Sequence, residues 1–158
     1  MLSDPSQMVR GNAALSLVRF SDATGRPQIL ALLQPAEITS RESGRILDAD
    51  RPGTPIHQGG LIAKLQYGTQ IAEIRSPIPG RIRSLAGTGA NVITGSQVAV
   101  VDPANEQVWE ALRALYLIGQ PDDLAFIRPY ERDLPDVSND VRQQALLTEQ
   151  AIQQRVKQ

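Results

Sequence analysis

A chain that carries one pattern twice without a gap must build one structural unit twice. Residues 37–101 do this at a spacing of 36. Glu37-Ile38-x-Ser40-x3-Gly44-Arg45-Ile46-x6-Gly53-x5-Gly59-x3-Ala63 recurs as Glu73-Ile74-x-Ser76-x3-Gly80-Arg81-Ile82-x6-Gly89-x5-Gly95-x3-Ala99. Nine of the 29 paired positions are identical, and Ile56/Val92, Ile62/Val98 and Leu65/Val101 pair apolar with apolar. Short apolar runs separated by glycine and proline read as strands. Their centres are Ile38, Gly44–Leu47, Leu61–Leu65, Gln70–Arg75, Gly80–Ile82, Val92 and Gln97–Val101. The turns are Arg51-Pro52-Gly53, Gln58-Gly59, Tyr67-Gly68, Pro77-Ile78-Pro79-Gly80, Gly87-Thr88-Gly89 and Thr94-Gly95, where glycine supplies positive φ and proline presets its own. Two copies of such a unit predict two sheets, or a flattened barrel, related by a pseudo-twofold axis.

On either side the pattern changes period from two to 3.6. Ser3-Asp4-Pro5 reads as a helix start, followed by Val9, Ala13, Leu17 and Phe20 as one apolar face. A shorter helix over Pro27–Leu33 completes a hairpin. Beyond the repeat, Asp102-Pro103-Ala104-Asn105 opens a helix with Trp109, Leu112, Leu115 or Tyr116, and Ile118 on its apolar face. Gly119-Gln120-Pro121 ends it and starts a short helix through Leu124 and Ile127, which Pro129 must kink or stop. A last helix, capped at Ser138-Asn139-Asp140, carries the stripe Val141, Ala145, Thr148, Ile152 and Val156. The fold class expected is α+β, with domains at 1–35, 36–103 and 104–158.

Composition removes several functions. Sixteen basic against seventeen acidic residues give a net charge of −1, without general attraction to nucleic acid or an anionic membrane. The absence of cysteine rules out disulfides and thiolate metal sites, and a lone histidine, His57, makes no histidine cluster. No window approaches about 18 consecutive apolar residues, and the start lacks the basic and apolar regions of an export signal, so a cytoplasmic chain is expected.

The helical ends have a local signature: Asp4-Pro5, Met8-Val9-Arg10, Ala13-Ala14 and Ser16-Leu17, and again Asp140-Val141-Arg142 with Ala145-Leu146-Leu147. This resembles the second helix of HEAT-like repeats. Ala111-Leu112, Ala114-Leu115 and Gly119 through Leu124 look like the same helix and the turn after it. The resemblance implies α-hairpins that bury their faces against neighbouring repeats, with the strand-rich core inserted between consecutive elements of one stack.

The core itself, through Ser76-Pro77-Ile78-Pro79-Gly80-Arg81-Ile82, Gly89-x2-Val92-x2-Gly95-x2-Val98 and Asp102-Pro103, resembles the biotinyl/lipoyl domains and the barrel-sandwich domains of membrane-fusion adaptors. That resemblance implies a barrel-sandwich hybrid of two pseudo-symmetric β units. Carriers of this family place the modified lysine at a hairpin tip eight residues before the turn proline. Counting back eight from Pro77 gives Thr69, which has no amine to acylate. Lys64 lies five residues out of place, at a strand end.

Among single residues, the repeat-equivalent Arg45 and Arg81 offer two anion contacts, or serve as solvated or salt-bridged strand arginines. Tyr67, Gly68, Thr69 and Gln70 form an exposed hairpin suited to a partner contact, or a cap on the barrel end. His57 reads as a surface residue, Trp109 and Tyr116 as core. Gly87-Thr88-Gly89 lacks the Lys-Ser/Thr helix start of a phosphate loop. The acidic pairs Asp48/Asp50 and Asp122/Asp123 fit solubility and helix-dipole compensation. No nucleophile stands with a base. The expectation is a non-catalytic interaction or scaffold subunit without cofactor or metal, its partners proteins of a larger assembly, membrane-associated assemblies included. No nucleic acid and no membrane insertion are expected. The alternative is a carrier modified at Lys64, or a fragment of a membrane-fusion adaptor.

Overall fold

The computed structural model describes residues 1–157. The chain divides into a strand-rich unit, Pro35–Ala104, and a helical unit made of Met1–Gln34 and the chain from Asn105 onward.

The strand-rich unit holds β1 (Ala36–Thr39), β2 (Gly44–Ala49), β3 (Pro55–Ile56), β4 (Leu61–Tyr67), β5 (Gln70–Arg75), β6 (Gly80–Leu85), β7 (Asn91–Val92) and β8 (Gln97–Pro103). They form two antiparallel four-stranded sheets, ordered β1-β8-β6-β3 and β5-β4-β2-β7. Adding 36 to the first copy converts one order into the other, so each sheet contains strands of both copies. The register obeys the same shift: Ala36↔Val101, Glu37↔Val100 and Ile38↔Ala99 in one sheet correspond to Ala72↔Leu65, Glu73↔Lys64 and Ile74↔Ala63 in the other. Even the irregularity after Ile46 recurs after Ile82. β1 and β5 lie at sheet edges and are not paired with each other, so the sheets do not close into a barrel. Of the two arrangements expected, two sheets or a flattened barrel, the chain adopts the first.

The identical positions have identical work. Ile46 and Ile82 are buried in the core with Ile62, Leu65, Val98, Val101 and Ile78. Ser40 and Ser76 are buried polar residues whose hydroxyls donate to the carbonyls two residues on, those of Glu42 and Ile78. Gly44 and Gly80 sit where a Cβ would meet the carbonyl oxygens of Gln66 and Asp102 at 2.0 and 1.7 Å. Gly53 and Gly89 have φ of +90° and +88°, and their N–H groups donate across to the carbonyls of Ile82 and Ile46, each at 2.7 Å.

The helical unit comprises α1 (Gln7–Val18), α2 (Arg26–Ala31), α3 (Asn105–Ile118), α4 (Leu124–Ile127) between two 3-10 turns, and α5 (Asn139–Val156). Its core joins Ala14, Val18, Ile29, Leu32 and Leu33 from the first segment to Val108, Ala111, Leu112, Leu115, Ile127, Val141, Ala145 and Ile152 from the second. Hydrogen bonds fix the packing: Gln107 Nε2 donates to the Leu32 carbonyl (3.0 Å) and Thr148 Oγ1 to that of Leu112 (2.9 Å). Arg155 reaches the carbonyls of Tyr116 (2.6 Å) and Gly119 (2.9 Å), closing the α3 C-terminus.

Three helical expectations need correction. α1 starts after Ser6, whose hydroxyl caps the Val9 N–H, while the Asp4 carboxylate accepts the Ser6 N–H. Its inward face is Gly11, Ala14 and Val18, whereas Val9 is 41% exposed and Phe20 83% exposed. Small residues face inward because the packing is close: a Cβ on Gly11 would lie 2.5 Å from Leu32 Cδ2. Tyr116 is 43% exposed, and Trp109 is half-buried with the Arg113 guanidinium over its ring at 4.6 Å, so neither is a fully buried core residue. On α5, Val141, Ala145, Thr148 and Ile152 are buried, but Val156 is exposed.

Candidate functional site

The β4–β5 hairpin brings Tyr67, Gly68, Thr69 and Gln70 together. Tyr67 and Gln70 are the last cross-strand pair, leaving Gly68 and Thr69 as a two-residue turn. Gly68, at φ +57°, takes the first central position, which the sharp reversal reserves for glycine. The Tyr67 hydroxyl donates to Gln70 Oε1 at 2.7 Å, bracing the hairpin across its base. Thr69 is exposed at the tip. Lys64 is half-buried in mid-β4, opposite Glu73 on one side and Asp48 on the other. It is held in a ladder, not at a turn.

Arg45 and Arg81 do not join this hairpin as one site. Arg45 stands on β2 opposite Gln66 and Asn91, and Arg81 stands on β6 in the other sheet, opposite Asp102 and Pro55. Arg81 Nη1 donates to the Gly53 carbonyl at 2.5 Å, and Arg45 Nη2 lies 3.6 Å from where a Cβ on Gly89 would stand. Each arginine therefore reaches the turn glycine of the other copy. For Arg81 this contact is a hydrogen bond between the copies.

His57 is exposed, and its carbonyl accepts the Gly60 N–H. Asp50 Oδ1 accepts from Arg51 N–H and from the Thr54 hydroxyl, a turn-stabilising role. Asp123 corrects the expectation of a solvated acidic pair. It is buried, forms an ion pair with Arg26 at 2.8 Å and accepts the Gln120 N–H at 2.8 Å. Arg26 and Asp123 are too far apart in sequence for any local pattern to join them.

A second acidic feature escaped the sequence for the same reason. Glu131, after α4, meets Glu149 on α5. Burial, then the hydrogen bond and charge of Glu149, push the Glu131 carboxyl up to about 7 against the opposing charge of Arg128. Glu149 is held below the usual carboxylate range by that hydrogen bond from Glu131 and by Arg128 and Gln153, which donate to its Oε1 at 3.0 and 2.8 Å. Glu131 Oε1 is buried without another partner.

Two surfaces offer contact. Val9, Ala13 and Leu17 of α1 line one open face together with Met1 and Leu2 of the segment before it. In the strand-rich unit, a groove of about 470 Å³ runs between the edge strands β1 and β5. Among the described residues, no helix is long and apolar enough to cross a membrane, and no group of three or more acidic or histidine side chains could hold a metal ion.

No family model matches the chain, and neither does any curated protein. Among solved structures it is similar to the urea carboxylase of Kluyveromyces lactis, at 17% identity and a TM-score of 0.40, over 43% of this chain and 6% of that one. It is also similar to a single-chain, multi-domain long-chain acyl-CoA carboxylase, at 17% identity and a TM-score of 0.42, over 62% and 10% of the two chains. The chain thus spans a tenth or less of the length of either carboxylase.

Proposed function

We propose that this chain is a non-catalytic, protein-interacting scaffold subunit of a larger assembly. In this reading the strand-rich unit is a barrel-sandwich module of biotinyl/lipoyl type without its attachment lysine, and the flanking helices are HEAT-like hairpins. The observation that carries the proposal is the uncovered apolar face of α1. Val9, Ala13 and Leu17 lie along a helix whose opposite face is already packed, with Met1 and Leu2 of the preceding segment beside them, and continuous exposed apolar surface of this kind marks a protein contact. The occupant that fits is an amphipathic helix laid along α1, as the next element of a helical stack would be. The interlocked register supports the module assignment, because duplication within one sandwich is what that family's fold implies. Thr69 at the hairpin tip supports a binding role over a carrier role, since a hydroxyl cannot form the amide linkage that a lysine forms.

The test is purification of the tagged protein from its native cells, with identification of co-eluting chains, beside a Val9→Asp, Leu17→Asp variant. A stoichiometric partner lost from the variant is expected. A stable monomer without a partner refutes the subunit reading. Intact mass decides the carrier alternative: a biotinyl or lipoyl group on Lys64 would overturn the proposal.

A further inference from the structure

A third surface lies within the helical unit. Asn12 and Ser16 form a ridge on α1 with open surface on each side: the apolar face already described, and a groove of about 420 Å³ between α1 and α3. Each wall of the groove is one helical stripe. α1 supplies Asn12, Leu15, Ser16 and its C-cap residue Arg19. α3 supplies Glu110, Arg113, Ala114 and Leu117. Both sets follow the spacing i, i+3, i+4 and i+7, so each wall runs along its helix for about two turns, ~10 Å. A trough walled by two such stripes takes a third helix, whose side chains pack between those of the other two. Leu15 is half-buried in the groove, and Leu117 is 60% exposed.

The charged groups in the lining define the helix that fits. Among the described residues, the Arg19 side chain has no ion-pair or hydrogen-bond partner. The Arg113 guanidinium lies over the Trp109 ring at 4.6 Å, and its Nη1 stands 3.8 Å from Glu110 Oε1, outside hydrogen-bond range. Two guanidinium groups thus face one carboxylate, and α1 itself adds Arg10 and no acidic residue. The charge left over is basic. Both guanidinium groups keep their forked N–H donors for a carboxylate. Stacking on Trp109 already orders Arg113, so it loses less freedom on closing over an anion. A second copy laid groove to groove would set these arginines against their own counterparts, which disfavours it.

We propose that the α1–α3 groove docks an acidic amphipathic helix of a partner protein, its apolar stripe over Leu15, Ala114 and Leu117 and its flanking carboxylates on Arg19 and Arg113. The site does not depend on what covers the outward face of α1.

Trp109, beneath Arg113, is a reporter beside the groove. The probe is a capped helical peptide of about 15 residues, leucine along one stripe and glutamate on its flanks; the control has lysine for every glutamate. Titrated into the full chain at low salt, the glutamate peptide should shift Trp109 emission with a Kd on the order of 10–100 µM, at least about tenfold tighter than the control. Arg19→Glu, at an exposed position with no partner to lose, should weaken the glutamate peptide at least about tenfold and strengthen the lysine one. Leu117→Ser, also exposed, should weaken the glutamate peptide at least about threefold. A Val9→Ser, Leu17→Ser variant should bind it within about twofold of the native chain. No shift up to about 1 mM peptide, equal affinity for both peptides, or indifference to Arg19→Glu or Leu117→Ser overturns the proposal. Loss of binding in the Val9→Ser, Leu17→Ser variant does so too, by moving the peptide to the outward face. So does the same saturable shift with inorganic phosphate, which would make this a bare anion site, or a shift on concentrating the protein alone, which would assign the groove to a second copy.

Discussion

Gly44 and Gly80 offer a quantitative test of the interlocked register. Adding one methyl at either position puts a carbon 2.0 or 1.7 Å from a backbone carbonyl oxygen, where ordinary contact needs about 3.4 Å. The obstacle is backbone in the neighbouring strand, so no side chain can rotate to relieve it. Relief requires β2 and β4, or β6 and β8, to part by well over an ångström. That distorts the ladder around Arg45↔Gln66 or Arg81↔Asp102 and opens the packing over Ile46 or Ile82. Overpacking on this scale costs about 2–4 kcal/mol, a large part of a small domain's stability. Gly44→Ala and Gly80→Ala should therefore be equally severe, within about 1 kcal/mol of each other. Ala at Gly53 or Gly89 meets no crowding but must adopt positive φ, so about 1–2 kcal/mol is expected there. Trp109, the lone tryptophan, belongs to α3 and reports the helical unit, so the assay must be amide exchange of β4, β6 and β8. A loss below about 0.5 kcal/mol at either close-packed glycine would refute the reasoning.

Three further outcomes follow from other sites. Asp123→Ala strands Arg26 and the Gln120 N–H together and should cost ~2–4 kcal/mol, read from urea denaturation followed by Trp109 fluorescence; a loss under about 1 kcal/mol would show that the pair is not a tie across the helical unit. Because the folded pKa of Glu131 is raised, the helical unit should be most stable below the ordinary carboxylate value and lose ~1–2 kcal/mol, after solvent screening, as pH climbs through about 7. Glu149, with its pKa depressed, acts oppositely and costs stability only in stronger acid. Urea midpoints at pH 5 and 8 should differ in the native chain and converge in Glu131→Gln. Thr69→Lys places an amine at the hairpin tip; in cells holding biotin and lipoate ligases, intact mass should then show acylation, and an unmodified lysine counts against the biotinyl/lipoyl assignment.

The strands could be read from the sequence because their determinants are local. Glycines at Gly44, Gly53 and Gly59, repeated at Gly80, Gly89 and Gly95, set turns and close approaches that any chain with that spacing must make. The face of α1 could not be read in the same way. Periodicity ranks Val9, Leu17 and Phe20 above Gly11 and Ala14, but close approach of the Leu32 side chain and of Gly25 selects the smaller residues. The hairpin Tyr67–Gln70 was visible as a turn, whereas Arg26–Asp123 and Glu131–Glu149 depend on tertiary proximity alone. The roles of Arg45 and Arg81 needed to know which turn each would reach.

Strand exchange between the copies also sets an order of events during synthesis. β1 is made first of the strands, yet its ladder partner, β8, begins 58 residues beyond Thr39. At about 5–20 residues per second the ribosome takes ~3–12 s to supply it. The β4–β5 hairpin closes at once, so the sheet holding it starts before the one holding β1. The α1–α2 segment waits longer still, since α3 and α5 are translated only after the whole strand-rich unit. Residues 1–34 therefore leave the ribosome with Ala14, Val18, Ile29, Leu32 and Leu33 waiting for the helices that cover them.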